Sequence, residues 1–262
     1  MRYFPLIVAG FLISVAYIRV DYSPTLISLA SEGDCVETFS LLDQPFTFLG
    51  KGRQSFAFVS QDGKYVLKFF NKKYFEVPWY SFSEKEISKR AKREKFFKES
   101  YLVAGQFLKE ETGLIYSHFE RTKGLPKVCL KDKASRTFKV DLNEVSFVVQ
   151  KKGEPFYPTL EAIYASEGKE GLSLEFRKFF KIIAHRISLS IEDGDHDVEH
   201  NYGFIDGNPF QLDPGRLLKG DLSDQKKIDH EWWVATHALR KWLEKKYPDM
   251  VTSFDEMQKE YL

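Results

Sequence analysis

One segment, residues 193–215, gathers the side chains of this chain that are best suited to metal and phosphate chemistry. It is polar, contains glycine and reads Asp-Gly-Asp-His-Asp-Val-Glu-His-Asn before it becomes apolar. Carboxylate and amide oxygens are the hard ligands that Mg²⁺ prefers, and Mg²⁺ neutralises phosphates during their transfer. The candidate ligands and proton acceptors in this segment are Asp193, Asp195, Asp197, Asn201 and Asp213.

The residues after Asn201 predict a hairpin. Tyr202–Ile205 has the composition of a strand, Asp206-Gly207-Asn208 is a turn sequence, and Phe210–Leu212 predicts the returning strand that ends at Asp213. A hairpin holds the residues at its open end close together. We therefore expect an amide and a carboxylate at a fixed separation, as a shared metal ion requires.

A second candidate segment lies far upstream. Phe46–Leu49 and Phe56–Val59 predict two strands joined by a loop that contains Gly50 and Gly52, and the next predicted strand carries Lys68. Glycine has no Cβ, so the backbone N–H groups of such a loop can approach phosphates closely. A lysine on the neighbouring strand can then neutralise them.

The order of these features resembles the protein kinase-like fold, in its divergent bacterial and small-molecule-kinase branches, over about residues 45–220. The resemblance implies a bilobal α+β fold. Its N-terminal lobe would hold an antiparallel sheet with one long helix, and its C-terminal lobe would be mainly helical. The implied domains are a hydrophobic segment 1–20, a connector 21–44, a nucleotide-binding lobe 45–152 and a C-terminal lobe 153–262.

The resemblance also implies roles for individual residues and two cofactors, ATP and Mg²⁺. Gly50, Gly52 and Ser55 match the glycine positions of the phosphate loop, and Lys68 matches the lysine that contacts the α- and β-phosphates. Asn201 and Asp213 match the residues that hold the metal ion.

The proton acceptor is harder to assign, because no His-Arg-Asp sequence precedes Asn201. The position five residues before Asn201 is His196, so Asp195 is our first candidate, Asp193 the second, and Asp197 stays open. In addition, serine replaces the third glycine, Pro214 replaces the phenylalanine of Asp-Phe-Gly, and no Ala-Pro-Glu follows. Two functions therefore stay open: a phosphotransferase with an unknown hydroxyl acceptor, and an inactive kinase-like protein that binds nucleotide or a protein partner.

A long helix is predicted over Ser83–Glu111, with a capping box at Ser83 and Glu86. Its apolar residues recur every three or four positions, as one buried helix face requires: Phe97, Tyr101, Ala104 and Leu108. Glu94 and Glu99 are the candidate partners of Lys68, and we favour Glu99. Gln150 begins a predicted hinge, Gln150-Lys151-Lys152-Gly153, whose backbone would meet the adenine ring.

The N-terminus carries 16 uncharged residues, Tyr3–Ile18, between Arg2 and Arg19. This length is near the lower limit for a membrane-spanning helix. A single-pass membrane anchor is the first interpretation, a cleaved export signal the second, and a buried helix the third. The two flanking arginines leave the orientation in the membrane open.

Composition and spacing argue against other classes of protein. The net charge of +1 gives no support for nucleic-acid binding. An EF-hand beginning at Asp193 would need glycine at its sixth position and glutamate at its twelfth, where Val198 and Phe204 stand. His185, His196 and His200 form no clear transition-metal motif, and Cys35 and Cys129 are read as reduced, unpaired thiols.

Overall fold

The computed structural model describes residues 40–75 and 83–262. The apolar run Tyr3–Ile18, most of the connector 21–44 and Cys35 lie outside the described residues, so the predictions made for them stay predictions. Within the described ranges, no helix combines the length and the apolar character that crossing a membrane requires.

The chain divides into two compact units. The first unit holds the described residues up to Lys98 together with Leu114–Lys152, and the second unit holds Glu99–Gly113 together with Gly153–Leu262. The second change from the first unit to the second along the chain falls after Lys152. The domain bounds predicted from the sequence stay predictions.

The first unit contains a seven-stranded sheet in the order β4-β7-β3-β2-β1-β5-β6. Neighbouring strands are antiparallel except β1 and β5, which pair in parallel, so the prediction of an antiparallel sheet is corrected at this one pair. The strands are β1 Phe46–Lys51, β2 Ser55–Ser60, β3 Tyr65–Phe70, β4 Leu114–His118, β5 Lys127–Lys131, β6 Thr137–Asp141 and β7 Phe147–Lys151.

Phenylalanine side chains fill the core of this unit. Phe58, Phe69 and Phe147 lie next to each other on adjacent strands, with ring centroids 5.8 and 6.4 Å apart. All three are buried, together with Phe46 and Leu67. Such rings bury large apolar areas and stabilise the sheet through edge-to-face contacts.

The long predicted helix is present as α2, Glu84–Phe107, after a short α1, Lys72–Phe75. Its cap is confirmed, because the Glu86 backbone N–H donates to Ser83 Oγ at 3.4 Å. The four apolar residues predicted to share one face are all buried. The helix ends earlier than predicted, because Leu108 has non-helical backbone angles (φ −134°, ψ 34°) and separates α2 from the short α3, Lys109–Thr112.

The second unit is mainly helical, with two small sheets that carry the acidic segment. One sheet has the order β11-β10-β8 and the other pairs β12 with β9. Its elements are β8 Glu154–Pro155, α4 Phe156–Ser188, β9 Ile191–Asp193, α5 Val198–Asn201, β10 Tyr202–Ile205, β11 Asn208–Gln211, β12 Leu217–Lys219, α6 Gln225–Lys246 and α7 Val251–Lys259. Single 3-10 turns lie at Leu142–Glu144 in the first unit and Pro248–Met250 in the second.

The core of the second unit forms between α4 and α6. The apolar face of α4, which includes Phe176, Phe180 and Ile183, is buried in one cluster with Trp232 and Leu239. The α4 range joins two helical segments across a kink at Gly168, whose backbone angles are not helical (φ 67°, ψ −151°). Asp224 caps α6 by accepting from the Lys226 backbone N–H at 2.9 Å.

Candidate active site

The glycine loop of the first unit connects β1 to β2. The β1–β2 register shifts between Phe48 and Gly50, and the Gly52 N–H donates to the Ser55 carbonyl at 2.9 Å, which closes a tight turn. A Cβ added at Gly50 would meet no described atom within 4 Å, and one added at Gly52 would meet only the Ser55 carbonyl, at 3.8 Å. Packing within the described chain therefore does not require these two glycines, which agrees with a role in letting a ligand approach the backbone.

Asn71, which the sequence analysis did not single out, holds this loop in place. Its backbone N–H donates to the Gln54 carbonyl at 2.7 Å, and its Nδ2 donates to the Arg53 carbonyl at 2.9 Å. Asn71 follows β3 directly and is buried. The strand that carries Lys68 is thereby joined to the tip of the glycine loop.

Lys68 and Gln150 lie on the neighbouring strands β3 and β7. Lys68 is half-buried and lies between Ala57 of β2 and Val148 of β7 in the register. Gln150 is 1% exposed and pairs with Val66. Its side chain faces the interior, so nucleotide contact at this position would fall to backbone atoms, as the hinge prediction requires.

The two glutamates considered as partners of Lys68 differ in their surroundings. Glu94 forms an ion pair with Lys98, one helical turn further on, at 2.7 Å, and the Lys98 side chain is only 7% exposed. Glu94 is thus engaged with a buried cation of its own helix. The pairing of Glu99 with Lys68 stays a prediction.

In the second unit, direct hydrogen bonds join the three residues predicted to share the metal and catalytic site. The Asn201 carbonyl accepts from the Leu212 N–H at 2.7 Å and from the Asp213 N–H at 3.3 Å. The Asn201 Nδ2 donates to the Asp195 carbonyl at 3.0 Å. The hairpin register, with Tyr202 opposite Gln211, produces this proximity, since it brings the residues just outside both strands together.

The turn predicted from the sequence Asp206-Gly207-Asn208 is confirmed in the structure. Asp206 and Gly207 both have positive φ angles, 49° and 75°. A two-residue connection with both φ values positive matches the twist of the flanking strands, and aspartate followed by glycine accepts that backbone readily. Asn208 already belongs to β11, so the turn proper is one residue shorter than predicted.

The side chains of Asn201 and Asp213 carry the amide and carboxylate oxygens that Mg²⁺ prefers as ligands. Because Nδ2 of Asn201 is committed to a carbonyl oxygen, its Oδ1 is the remaining polar atom, and no described residue donates a hydrogen bond to it. Asp213 Oδ1 accepts from the Gly215 N–H at 3.0 Å. No group of three or more His, Cys, Asp or Glu side chains in the described chain is arranged for a metal.

Tyr101 of α2 supports Asp213 from within the second unit. It is 1% exposed, and its hydroxyl is hydrogen-bonded to the Asp213 carboxylate. Burial, together with that carboxylate, raises the pKa of Tyr101 well above its usual value. The hydroxyl therefore stays protonated and donates to Asp213. The adjacent Ser100 Oγ donates to the Leu217 carbonyl at 2.7 Å, which joins this helix segment to β12.

The three acidic candidates for the proton acceptor have different environments. Asp193 is 5% exposed, and burial raises the pKa of its carboxyl group. Asp197 caps α5 by accepting from the His200 backbone N–H at 3.3 Å, and its other oxygen lies 2.9 Å from the His200 ring. The Asp195 side chain is 40% exposed, and its residue is bonded to Asn201 through the backbone.

Arg216 lies beside Asp195, and the sequence analysis did not identify it. Its Nε is 3.6 Å from Asp195 Oδ2, and its Nη1 donates to the Gly194 carbonyl at 3.2 Å. The pairing of β9 with β12 sets Leu217 opposite Asp193 and so brings Arg216 to the acidic segment. Strands of three residues carry no detectable periodicity, which is why this proximity was not predicted.

Comparison with known proteins finds distant likeness among solved structures. No family model matches the chain, and no curated protein matches it in sequence. Among solved structures, it is similar to WbdD in a co-crystal with the kinase inhibitor LY294002, with 13% identity, a TM-score of 0.40, and coverage of 81% of this chain and 45% of that one. A medium-resolution structure of WbdD is described as a bifunctional kinase-methyltransferase; it matches with 12% identity, a TM-score of 0.38, and coverage of 79% and 43%.

The 2.2 Å crystal structure of WbdD matches with 12% identity, a TM-score of 0.39, and coverage of 81% of this chain and 46% of that one. The chain thus spans less than half the length of these structures. A likeness of this size is distant and assigns no role to any residue.

Proposed function

We propose that this chain is an ATP-dependent phosphotransferase of the protein kinase-like fold. It would transfer the γ-phosphoryl group of ATP to a hydroxyl acceptor. The observation that carries the proposal is the set of hydrogen bonds by which Asn201 joins the backbone of Asp195 to the backbone of Asp213, so that these three residues lie next to each other.

Each residue in this arrangement has a distinct task. Asp195 would accept the proton of the acceptor hydroxyl, while Asn201 Oδ1 and the Asp213 carboxylate would hold Mg²⁺. The bound Mg²⁺ supplies charge neutralisation for the phosphates. Tyr101 and Asn71 would keep Asp213 and the glycine loop in their binding positions.

The glycine loop and β3 would supply the phosphate contacts. Backbone N–H groups near Gly50, Gly52 and Ser55 would approach the phosphates, and Lys68 would neutralise the α- and β-phosphates with Glu99 as its orienting partner. The backbone at Gln150 and beyond would meet the adenine ring. Attachment through residues 3–18 would place the activity at a membrane, with the acceptor unidentified.

A second candidate, an inactive kinase-like binding protein, is favoured by one observation. The guanidinium of Arg216 lies against the carboxylate of Asp195 and so competes with a substrate hydroxyl for that group. Pro214 and Ser55, at the two altered motif positions, agree with this alternative.

Thermal unfolding of the purified full-length chain with and without Mg-ATP tests the nucleotide site. At about 100 times the dissociation constant, ligand binding should stabilise the folded chain by about 2.7 kcal/mol. Lys68→Ala and Asp213→Asn should abolish this stabilisation. Matched controls are Lys139→Ala, an exposed lysine of β6, and Asp206→Asn, at a turn position that also suits asparagine.

The outcomes separate the two candidates. No stabilisation of the wild type would contradict nucleotide binding, and equal stabilisation of all five proteins would contradict binding at the proposed site. If binding is established, ADP formation that exceeds that of Asp195→Asn would support the phosphotransferase. Stabilisation without ADP formation would support the inactive binding protein.

A further inference from the structure

Both carboxylate oxygens of Asp193 are already used within the protein. Oδ1 accepts from the Asp195 backbone N–H at 2.9 Å, and Oδ2 accepts from Gln211 Nε2 at 2.7 Å. The residue is 5% exposed, whereas the Asp195 side chain is 40% exposed. A proton acceptor must reach a substrate hydroxyl, and Asp193 meets this requirement poorly.

These two bonds join the acidic segment to the hairpin. Gln211 is the last residue of β11, two positions before Asp213, and it is 1% exposed. The Asp193 carboxylate therefore connects the backbone of the proposed proton acceptor to the strand that leads to the proposed metal ligand. Its position sets the separation of the two.

The backbone of Asp193 is fixed by a buried ion pair between Arg186 and Glu231. The Asp193 backbone N–H donates to Glu231 Oε2 at 3.3 Å, and the same oxygen accepts from Arg186 Nη1 at 2.8 Å. Arg186 also donates to the Ile191 carbonyl at 2.8 Å, at the start of β9. Helices α4 and α6 thereby fix the strand that carries Asp193, in a low-dielectric interior where such polar networks rigidify their members.

We infer that Asp193 is a positioning residue, which fixes Asp195 relative to Asp213, and that it is not the proton acceptor. This inference rests on the proposed function. Because the role depends on hydrogen bonds to Oδ1 and Oδ2, asparagine should largely replace aspartate once the Gln211 amide turns to present its oxygen. Alanine should not replace aspartate, since it leaves the partly buried Asp195 N–H and the buried Gln211 Nε2 without acceptors.

Steady-state kinetics of ADP formation by the full-length chain tests the inference. Asp193→Asn should keep kcat within about threefold of the wild type, and Asp193→Ala should lower kcat about tenfold or more with KM for ATP little changed. Asp195→Asn should lower kcat by about 10²–10⁴, the usual contribution of a general base. Asp206→Asn is the matched control, because it removes a charge at the exposed turn of the hairpin, where asparagine is also accepted.

Two results would overturn the inference. One is a loss in Asp193→Asn as large as that in Asp195→Asn, which would make Asp193 the proton acceptor. The other is a normal kcat in Asp193→Ala. Hydrogen exchange of residues 194–199 adds a readout that does not depend on activity: it should rise in Asp193→Ala and stay near wild type in Asp193→Asn.

The exchange measurement also separates the two proposals. An inactive wild type whose Asp193→Ala variant exchanges faster at 194–199 would contradict the phosphotransferase and keep the positioning role. Unchanged exchange in Asp193→Ala would contradict the positioning role even if the wild type were active.

Discussion

At the scale of single residues, His118 shows how burial links stability to pH. It is 2% exposed on β4, with its ring near Tyr116 and Phe147, and burial lowers the pKa of its imidazole to about 4. The unfolded value is about 6.5. Between these values the unfolded chain binds a proton that the folded chain does not, so stability falls as the pH drops from about 6.5 towards about 4.

We therefore expect the free energy of unfolding to be about 2 kcal/mol lower at pH 5 than at pH 7 because of His118. In His118→Phe, that part of the pH dependence should disappear. Urea unfolding at both pH values measures it. His230→Phe, at an exposed position of α6, should keep the wild-type pH dependence, and an unchanged pH dependence in His118→Phe would contradict the assignment.

Arg216 gives a second prediction at this scale. Its ion pair with Asp195 is partly exposed and 3.6 Å long, so its loss should change stability by less than about 1 kcal/mol. If the phosphotransferase proposal is correct, a cation beside the proton acceptor can stabilise charge on the transferred phosphoryl group. We expect Arg216→Ala to lower kcat about tenfold or more, with KM for ATP little changed.

Steady-state kinetics and urea unfolding of the same samples check this expectation. Arg177→Ala, which removes an exposed ion pair with Glu260 elsewhere in the second unit, serves as control and should leave kcat unchanged. A kcat that rises in Arg216→Ala would instead mean that the arginine withholds Asp195 from the substrate.

At the scale of elements, the packing of β8 and β11 depends on one glycine. A Cβ at Gly153, immediately before β8, would lie 2.2 and 2.4 Å from two ring carbons of Phe210 and 3.1 Å from the Phe204 carbonyl. Overpacking of this kind typically costs about 1–3 kcal/mol. We expect Gly153→Ala to lower the free energy of unfolding by that amount.

A double-mutant cycle with Phe210→Leu checks the cause, since the smaller side chain should recover part of the loss. The control is Gly50→Ala, where a Cβ meets no described atom within 4 Å and stability should change by less than about 0.5 kcal/mol. Equal losses in both glycine variants would contradict the packing explanation.

Elements with a clear local signal were predictable from sequence. Strand β3 and the hairpin strand β10 have the predicted bounds, because turn residues bracket short runs of apolar side chains. The beginning of helix α6 at Gln225 has no apolar signal, since residues 225–231 contain a single aliphatic side chain, and it depends on the cap at Asp224. The parallel pairing of β1 with β5 is a tertiary contact without a local signal.

In the candidate site, too, features with a local sequence signal were predictable and tertiary contacts were not. The proximity of Asn201 to Asp213 was predictable, because a turn sequence and two short strands suffice to produce it. Asn71, Gln211 and Arg216 were not, since each acts through a partner whose nearness depends on the assembled fold.

At the scale of the whole molecule, the proposed membrane attachment makes a simple prediction. If Tyr3–Ile18 is an uncleaved anchor, the full-length chain should float with membranes after carbonate extraction, and deletion of residues 1–20 should release it. Mass spectrometry of the N-terminus distinguishes the alternative, because a cleaved export signal would leave a chain that lacks this run. A chain with an intact N-terminus that carbonate extracts would contradict both interpretations.

The second unit is built from two separate stretches of the sequence, Glu99–Gly113 and Gly153–Leu262, which the ribosome synthesises at different times. Ser100, whose hydroxyl binds the Leu217 carbonyl, leaves the ribosome 117 residues ahead of its partner. At about 5–20 residues per second, that interval is about 6–23 seconds. During this time the apolar face of residues 99–113, which includes Tyr101 and Ala104, has no completed core to enter. Nascent chains at this stage are therefore the form of the protein that most needs a chaperone.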